Sequence, residues 1–146
     1  MSDAMLEKCS CSALRQATRH VTKLYDESLK PVELGVNQYS ILARLDEFGP
    51  KTVQDLAALL VMDRSTLGHL LRPLEKRSLV RLEVSDRDRR NRVIALTPVG
   101  SALMAKARPL WAKAERRFRE VFGTEAALGL RAILKQITRA EFGRAR

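Results

Sequence analysis

Apolar residues recur at helical spacing over most of the chain. From residue 9 to about residue 29 they stand three and four positions apart, which predicts one amphipathic helix. The same spacing predicts a second helix from Asn37 to Phe48, a long helix from Pro98 to about Phe122 and a last helix that begins at Thr124. Thr97 fits an N-cap of the long helix, followed by proline at its first position. Pro109 lies inside this helix and predicts a kink there.

Two shorter helices are predicted in the middle of the chain. Thr52 is a typical N-cap for a helix from Val53 to Leu60, and Asp63 is one for a helix from Arg64 to about Arg77. The pattern buries Val53, Leu56, Ala57 and Leu60 in the first, and Leu67, Leu70, Leu71 and Leu74 in the second. Pro73 predicts a bend or a weakened hydrogen-bond ladder in the second. Two short helices joined by three residues are typical of a helix-turn-helix.

Alternating apolar and polar residues predict two strands, Leu79–Val84 and Val93–Leu96, that form a β-hairpin. The predicted fold class is therefore mainly α with a small β-hairpin wing, that is, a winged helix-turn-helix with N- and C-terminal dimerisation helices. The terminal helices carry apolar stripes that have no partner within so small a domain. Such stripes often pair across a two-fold axis, so we expect a homodimer. The alternative is that they fold back on their own chain.

Composition supports a polyanionic partner. The 146 residues suit one domain, and 27 basic against 17 acidic residues give a net charge of +10. Nucleic acid is the first candidate partner of so basic a chain, and solvated basic faces are the alternative. Two cysteines do not make a disulfide scaffold, and neither a signal peptide nor a membrane span is visible. These features predict a cytoplasmic protein without a membrane partner.

The second short helix carries polar, basic and small residues on the faces that its leucines leave free. Arginine can bind guanine with both arms of its fork, hydroxyls can contact bases or phosphates, and glycine permits close approach. An ordinary solvent-exposed helix face is the alternative. The candidate DNA-binding residues of this helix are Arg64, Ser65, Thr66, Gly68, His69 and Arg72.

The hairpin connection is the most highly charged stretch of the chain. Residues 85–92 contain four arginines and two aspartates. An arginine inserted into a narrow minor groove meets a strong negative potential, and an aspartate can hold an arginine fork in one geometry. The alternative is a solvated hairpin tip with local ion pairs, each worth at most about 1 kcal/mol.

The sequence does not favour an enzyme. It has no glycine-rich phosphate loop, no nucleophile elbow and no metal-binding pair of histidines on a helix. Two cysteines and two histidines far apart in sequence do not predict a zinc site. We therefore expect neither a cofactor nor a metal.

Four segments resemble the MarR family of winged-helix transcriptional regulators. They read Asp-Arg-Ser-Thr-Leu at 63–67, Leu-Glu-Lys-Arg-Ser-Leu-Val at 74–80, Asp-Arg-Arg at 88–90 and Leu-Thr-Pro-Val-Gly at 96–100. The spacing between the last two segments is the most specific part of the resemblance, and the likeness extends over nearly the whole chain.

The resemblance implies a homodimer on a palindromic operator in double-stranded DNA. Residues 1–35 and 98–146 would form the helical dimerisation region, and residues 36–97 the winged helix-turn-helix lobe that binds DNA. The wing arginine that matches the family's minor-groove contact is Arg90, with Asp88 as its buttress. Arg89 would contact the DNA backbone or remain solvated.

The resemblance also implies an effector pocket between the dimerisation helices and the DNA-binding lobe, where phenolic or other aromatic acids bind and release DNA. The candidates by position are His20, Lys23, Tyr39 and Trp111. The alternative places the two aromatic residues in the core or an interface and the other two on the surface.

Some members of the family sense organic peroxides through a cysteine near the start of the first helix, and Cys11 falls at that position. Tyr25 matches one of two accompanying tyrosines, and Val36 replaces the other. A helix N-terminus and nearby basic residues could stabilise a reactive thiolate. The alternative is that Cys9 and Cys11 are inert reduced thiols.

Together these features predict a ligand-responsive repressor released by a small aromatic effector. A peroxide-sensing regulator of the same fold and a sequence-indifferent nucleoid or RNA-binding protein are the alternatives.

Overall fold

The computed structural model describes residue 5, residues 7–84 and residues 91–143. These residues form a mainly helical fold with a small antiparallel sheet, which confirms the predicted fold class. A 3₁₀ turn, Lys30–Val32, follows the first helix. The helices are α1 (Ser10–Leu29), α2 (Val36–Phe48), α3 (Val53–Leu60), α4 (Arg64–Lys76), α5 (Pro98–Phe122) and α6 (Thr124–Arg139); the strands are β1 (Lys51–Thr52), β2 (Val80–Val84) and β3 (Arg92–Leu96).

Side-chain caps begin three of the helices at the predicted residues. The Thr52 hydroxyl accepts the Asp55 N–H at 3.1 Å, and the Asp63 carboxylate accepts the Thr66 N–H at 2.7 Å. The Thr97 hydroxyl accepts an N–H at 3.0 Å from the third residue of α5. Each cap satisfies one of the donors that a helix N-terminus leaves without an intrahelical partner.

Helix α4 continues across Pro73, and α5 continues across Pro109. A proline inside a helix removes one backbone hydrogen bond, and packing on either side can hold the helix together. In α4 that packing comes from Leu71 and Leu74, which are both buried. The bends expected at the two prolines stay predictions.

The sheet contains a strand that hydrophobic periodicity did not predict. Strand β1 lies antiparallel to β3, with Lys51 opposite Ile94 and Thr52 opposite Val93, so the strand order is β1-β3-β2. Two residues are too few to show a period of two, which is why the sequence did not reveal β1. The predicted hairpin of β2 and β3 is confirmed, with Val84 opposite Arg92 nearest the tip.

The core packs the inner faces of α2, α3 and α4 against the sheet and the middle of α5. Its largest fully buried residues include Ile41, Leu42, Leu56, Leu67, Leu74, Ile94 and Met104. Val53, Leu60 and Leu70 were predicted to be buried, and they are less buried than predicted. These three are half-buried and pack on the edge of the core, since they flank the apolar stripes.

The terminal helices bury much less than the central ones. Among the described residues of α1 only Leu29 is buried, and of α6 only Ala127. Their apolar stripes are therefore largely open in the single chain. None of the described helices combines the length and apolar character that crossing a membrane requires.

Candidate nucleic-acid interface and effector groove

Helices α3 and α4 form the predicted helix-turn-helix. Val61 adopts the left-handed conformation (φ 52°, ψ 51°), and the Met62 N–H donates to the Ala57 carbonyl at 2.9 Å, which closes the turn. A β-branched residue seldom adopts this conformation, because its Cβ crowds the backbone. The turn between the two helices therefore depends on a valine in a conformation for which the sequence would be expected to have glycine or asparagine.

Helix α4, the recognition helix, turns one polar stripe outward. Ser65, His69 and Arg72 are exposed and Gly68 is half-buried, at positions that share one helical face. Leu67, Leu71 and Leu74 occupy the opposite face and are buried. The structure therefore brings four of the six predicted α4 residues together on one surface.

The other two predicted residues of α4 are partly occupied by contacts within the protein. The Arg64 guanidinium donates to Gln54 Oε1 at 3.0 Å, and the Thr66 hydroxyl donates to Asp63 Oδ2 at 2.9 Å. Sequence reasoning missed Gln54, which ties the start of the recognition helix to α3. Its position in the first turn of a preceding short helix is the signal that could have identified it.

The Asp63 carboxylate lies at the positive end of the recognition helix. Backbone and side-chain hydrogen bonds from Thr66 lower the pKa of this exposed carboxyl below its usual value. Because Asp63 accepts the Thr66 N–H, and the Ser65 N–H also helps to lower its pKa, this helix terminus is already largely occupied by its own cap.

The wing is the hairpin of β2, β3 and the segment between them. At the end of the strands nearest the tip Arg92 is exposed, and nearer the base Arg81 forms an exposed ion pair with Glu83 at 2.5 Å. The predicted wing contacts Asp88, Arg89 and Arg90 lie outside the described residues.

Arg77, which follows α4 directly, joins the recognition helix to the turn after α1. Its guanidinium donates to the carbonyl oxygens of Glu33 at 2.6 Å and of Val32 at 3.0 Å. Sequence reasoning placed Arg77 at a helix end without a role. Its acceptors lie 44 and 45 positions away along the chain, so no local pattern could have revealed the contact.

A large groove runs between α1 and α5, and two of the four effector candidates, His20 and Lys23, line it. Its volume is about 1090 Å³. An apolar floor of Leu24, Pro31 and Leu110 is bordered by exposed charged residues, which include several cations and the carboxylates of Glu27 and Glu120. The two carboxylates form ion pairs with Lys30 and Arg117. Among the described residues no carboxylate forms an ion pair with Lys23, Lys113 or Arg116. The Ser28 hydroxyl donates to the Leu110 carbonyl at 2.5 Å and holds the two helices together.

The other two effector candidates form a separate pair. The rings of Tyr39 and Trp111 stack with centroids 6.0 Å apart and an angle of 11° between their planes. Tyr39 is buried, and burial raises its pKa. The ion pair between Arg108 and Asp46 lies close by. The four candidates therefore do not converge on one site.

Comparisons with known proteins agree with this geometry. The sequence model of the MarR family matches residues 34–91, from just before α2 into the wing. The organic hydroperoxide resistance transcriptional regulator of Bacillus subtilis (strain 168) is 32% identical over 102 residues, which are 70% of this chain and 69% of that protein. The chain belongs to the MarR family. It is a winged-helix DNA-binding transcriptional regulator.

Solved structures of similar regulators include complexes with DNA. The Mycobacterium tuberculosis regulator MosR in complex with DNA is 30% identical with a TM-score of 0.82, over 90% of this chain and 95% of that one. The repressor CouR bound to a DNA duplex is 29% identical with a TM-score of 0.83, over 95% and 99%. CouR from Rhodococcus jostii RHA1 bound to p-coumaroyl-CoA is 26% identical with a TM-score of 0.79, over 95% and 98%.

The cysteines of this MarR-family protein lie at the start of α1. Cys9 is the N-cap, and its Sγ accepts the Ser12 N–H at 3.4 Å, whereas Cys11 is exposed. The Tyr25 hydroxyl donates to the Glu115 carboxylate on α5. Within the described part of the chain no three His, Cys, Asp or Glu side chains lie close enough together to hold a metal ion.

Proposed function

We propose that this MarR-family regulator binds a palindromic operator as a homodimer and represses transcription by occupying the promoter until a small aromatic effector releases it. The observation that carries the proposal is the polar stripe of the recognition helix, which faces outward while Leu67, Leu71 and Leu74 of the same helix are buried. A helix with one exposed polar face fits the major groove, whose width is about 12 Å.

In the proposed complex, helix α4 enters the major groove. Ser65, His69 and Arg72 face the base edges, and Gly68 allows close approach. The wing reaches the neighbouring minor groove with Arg90, which Asp88 supports, while Arg89 contacts the backbone. The DNA complexes of MosR and CouR support this mode of binding for a similar fold.

The homodimer is supported by the open apolar faces of the terminal helices. Leu128 and Ile133 on α6 are 54% and 57% exposed, and Phe122 at the end of α5 is 58% exposed. A second copy would cover these side chains. It would also present two recognition helices, which suits two half-sites about 34 Å apart.

The groove between α1 and α5 is the proposed effector site. An aromatic ring would lie on Leu24 and Leu110, and its carboxylate would pair with Lys23 or Lys113, which have no partner among the described residues. His20 would contribute a hydrogen bond. The volume also leaves room for a larger aromatic thioester, and the p-coumaroyl-CoA complex of CouR gives a reason to test one. The stacked pair Tyr39 and Trp111 would support the neighbouring helices without contacting the effector.

An effector releases DNA only if it binds a form of the protein that fits DNA poorly. Pro31 lines the groove, and the next two carbonyl groups along the chain accept the hydrogen bonds of Arg77. A ligand that moves Pro31 would therefore act on the C-terminal end of the recognition helix. This contact is the proposed route from groove to DNA.

The decisive experiment selects bound sequences from random DNA, first with the protein alone and then with aromatic acids and p-coumaroyl-CoA. We expect a palindrome that at least one of these compounds releases. The regulator should prefer its operator over random DNA by about 10³-fold or more. Equal binding to all sequences would favour the nucleoid or RNA-binding alternative and overturn the proposal.

Variants identify the contacting residues. Arg72→Ala and Arg90→Ala should each weaken operator binding and reduce its dependence on salt, because each removes a cation from the DNA surface. Arg44→Ala is the matched control, since Arg44 is an exposed arginine on α2 outside the recognition helix and wing. If all three variants bind as tightly as the wild type, the proposed interface is wrong.

Peroxide sensing is the second candidate function, favoured by the exposed Cys11 and by the similarity to the Bacillus subtilis hydroperoxide regulator. In this case an organic hydroperoxide would oxidise Cys11 to a sulfenic acid and release the operator. Cys11→Ser should abolish that release, whereas Cys9→Ser should preserve it. Equal release of the wild type and the Cys11 variant would exclude this function for Cys11.

A further inference from the structure

Arg64 is the first residue of the recognition helix, and it lies beside the polar stripe of that helix. The cap before it fixes its backbone, because Asp63 accepts the Thr66 N–H at 2.7 Å and holds the first turn in place. At 3.6 residues per turn, Arg64 stands about 100° around the helix from Ser65 and about 140° from His69. Its side chain therefore leaves the helix at the edge of the stripe.

Gln54, the second residue of α3, determines where the guanidinium of Arg64 goes from there. Arg64 Nη2 donates to Gln54 Oε1 at 3.0 Å. The two residues are ten positions apart and lie on different helices of the helix-turn-helix. The hydrogen bond directs the guanidinium toward the first turn of α3 and away from the stripe.

This contact orients the cation without neutralising it. The partner is an uncharged amide, and among the described residues no carboxylate forms an ion pair with Arg64. A guanidinium has five N–H donors, and the contact with Gln54 uses one of them. The positive charge and the other donors of Arg64 are therefore available to an anion.

The position of this cation indicates which part of DNA it meets. In a helix-turn-helix complex the recognition helix lies in the major groove, and the first helix crosses the DNA backbone. A cation that is held toward the first helix faces phosphates and not base edges. Phosphate contacts fix a protein on the duplex but carry no sequence information directly.

We propose that Gln54 positions the Arg64 guanidinium against a backbone phosphate, so that Arg64 adds affinity for every DNA sequence and reads no base. Gln54 acts only through Arg64 and is therefore a positioning residue. This inference rests on the proposed DNA complex, and it gives Arg64 a different role from the stripe residues Ser65, His69 and Arg72.

The test is a double-mutant cycle of Gln54→Ala and Arg64→Ala. Fluorescence anisotropy measures binding to the selected operator and to a random duplex of equal length over a range of salt concentrations. Arg64→Ala should weaken both duplexes by the same factor, about 3–10-fold per subunit, and lower the salt slope by about 0.9 per subunit, the value for one phosphate. A larger loss on the operator than on random DNA would show that Arg64 reads a base, and would overturn the proposal.

Gln54→Ala should weaken both duplexes by about 2–10-fold per subunit, because a guanidinium that is no longer held must be ordered on binding. In the Arg64→Ala background the same substitution should have no effect. Equal effects in the two backgrounds would show that Gln54 does not act through Arg64. Both side chains are exposed, so the variants should fold, and urea denaturation checks that they do.

Gln54→Glu distinguishes positioning of a cation from a structural role. Glutamate keeps a hydrogen-bond acceptor for Arg64 but also cancels its charge. The variant should therefore weaken DNA binding and lower the salt slope as much as Arg64→Ala does. In the Arg64→Ala background, Gln54→Glu measures the effect of the added negative charge alone, which should be smaller. If Gln54→Glu binds with the affinity and salt slope of the wild type, the contact serves only to join the two helices.

Arg72→Ala is the matched comparison, since Arg72 lies on the stripe that faces the base edges in the proposed complex. It should weaken the operator more than random DNA, in contrast to Arg64→Ala. A wild-type protein without sequence preference would overturn the proposed repression, whereas the coupling between Gln54 and Arg64 would still be measured on random DNA. The two proposals can therefore fail separately.

Discussion

At Gly100, in the first turn of α5, a Cβ atom would stand 2.1 Å from the Leu79 carbonyl oxygen and 2.8 Å from Leu96 Cδ1. Helix α5 therefore packs on the base of the wing at a distance that only glycine permits. Gly100→Ala should lower the free energy of unfolding by about 1–3 kcal/mol or more, because a backbone carbonyl cannot move aside as a flexible side chain can.

The matched control is Gly68→Ala in α4, measured without DNA, where a Cβ atom meets nothing within 4 Å. Alanine is favoured over glycine in a helix, so this variant should gain about 0.5–1 kcal/mol. Urea denaturation of both variants measures these opposite changes in the free energy of unfolding. If Gly100→Ala is as stable as the wild type, the packing of α5 on the wing differs from that described.

Asp63 should make stability depend on acid pH. Its folded-state pKa is lowered by the hydrogen bonds from Thr66, so its contribution is complete above its unfolded pKa of about 3.9 and is lost as pH falls through the folded value. Asp63→Asn keeps a capping oxygen but does not titrate. Thermal unfolding should show the variant less stable than the wild type at pH 6, with the gap closing toward pH 3. A gap independent of pH would contradict this assignment.

Residues that act locally were predictable, and residues that act across the fold were not. Thr52, Asp63 and Thr97 were identified as N-caps because each bonds an N–H three positions away. Tyr25 was noted for its place in the sequence, but its bond to Glu115 spans 90 positions and depends on how two helices meet. Sequence patterns can therefore predict contacts between near neighbours in the chain, but not contacts between residues on distant elements.

The same distinction holds for whole elements. The start of the last helix and the bounds of the other long helices were predicted within a residue or two, because a helix contains its own period and its own caps. Strand β1 was missed because its existence depends on β3, more than 40 positions later. Two residues that line the groove, His20 and Lys23, were candidates by resemblance, but the extent of the groove could not be predicted, since α1 and α5 enclose it only after the chain has folded.

Arg77 should determine how strongly an effector in the groove between α1 and α5 acts on the recognition helix. Arg77→Lys keeps the charge but cannot donate to the carbonyls of Val32 and Glu33 as a fork. Without DNA, the aromatic acid that releases the operator should bind the Arg77→Lys variant as tightly as it binds the wild type. With DNA, the same acid should lower the operator affinity of the variant several-fold less than it lowers that of the wild type. Calorimetry without DNA measures the affinity for the effector, and fluorescence anisotropy with DNA measures how far the effector lowers the affinity for the operator.

A matched comparison for Arg77→Lys is Arg81→Lys, on an exposed arginine that pairs with Glu83 within its own strand. This second variant should retain the full effect of the effector on DNA affinity. If both variants respond to the effector as the wild type does, Arg77 does not couple the groove to the recognition helix.

For the molecule as a whole, the positive charge lies on two separate surfaces. The net charge of +10 predicted a polyanionic partner, and the recognition helix and wing account for part of it. Lys23, Lys113 and Arg116, however, lie on α1 and α5, outside the winged helix-turn-helix. The net charge cannot distinguish a DNA-binding surface from a ligand groove, because it does not say where in the fold the charged residues lie.

The open apolar faces give the last prediction, which concerns assembly. Ile133→Glu places a charge on a side chain that is 57% exposed, so the single chain should still fold, but a second copy could no longer cover this face. We expect monomers in analytical ultracentrifugation. Operator affinity should fall by about 10²–10⁴-fold, because two linked recognition helices bind two half-sites far more tightly than one. Phe48→Glu, at a side chain that is 48% exposed at the end of α2, is the control and should remain dimeric. A dimeric Ile133 variant with wild-type affinity would move the interface to another face of the protein.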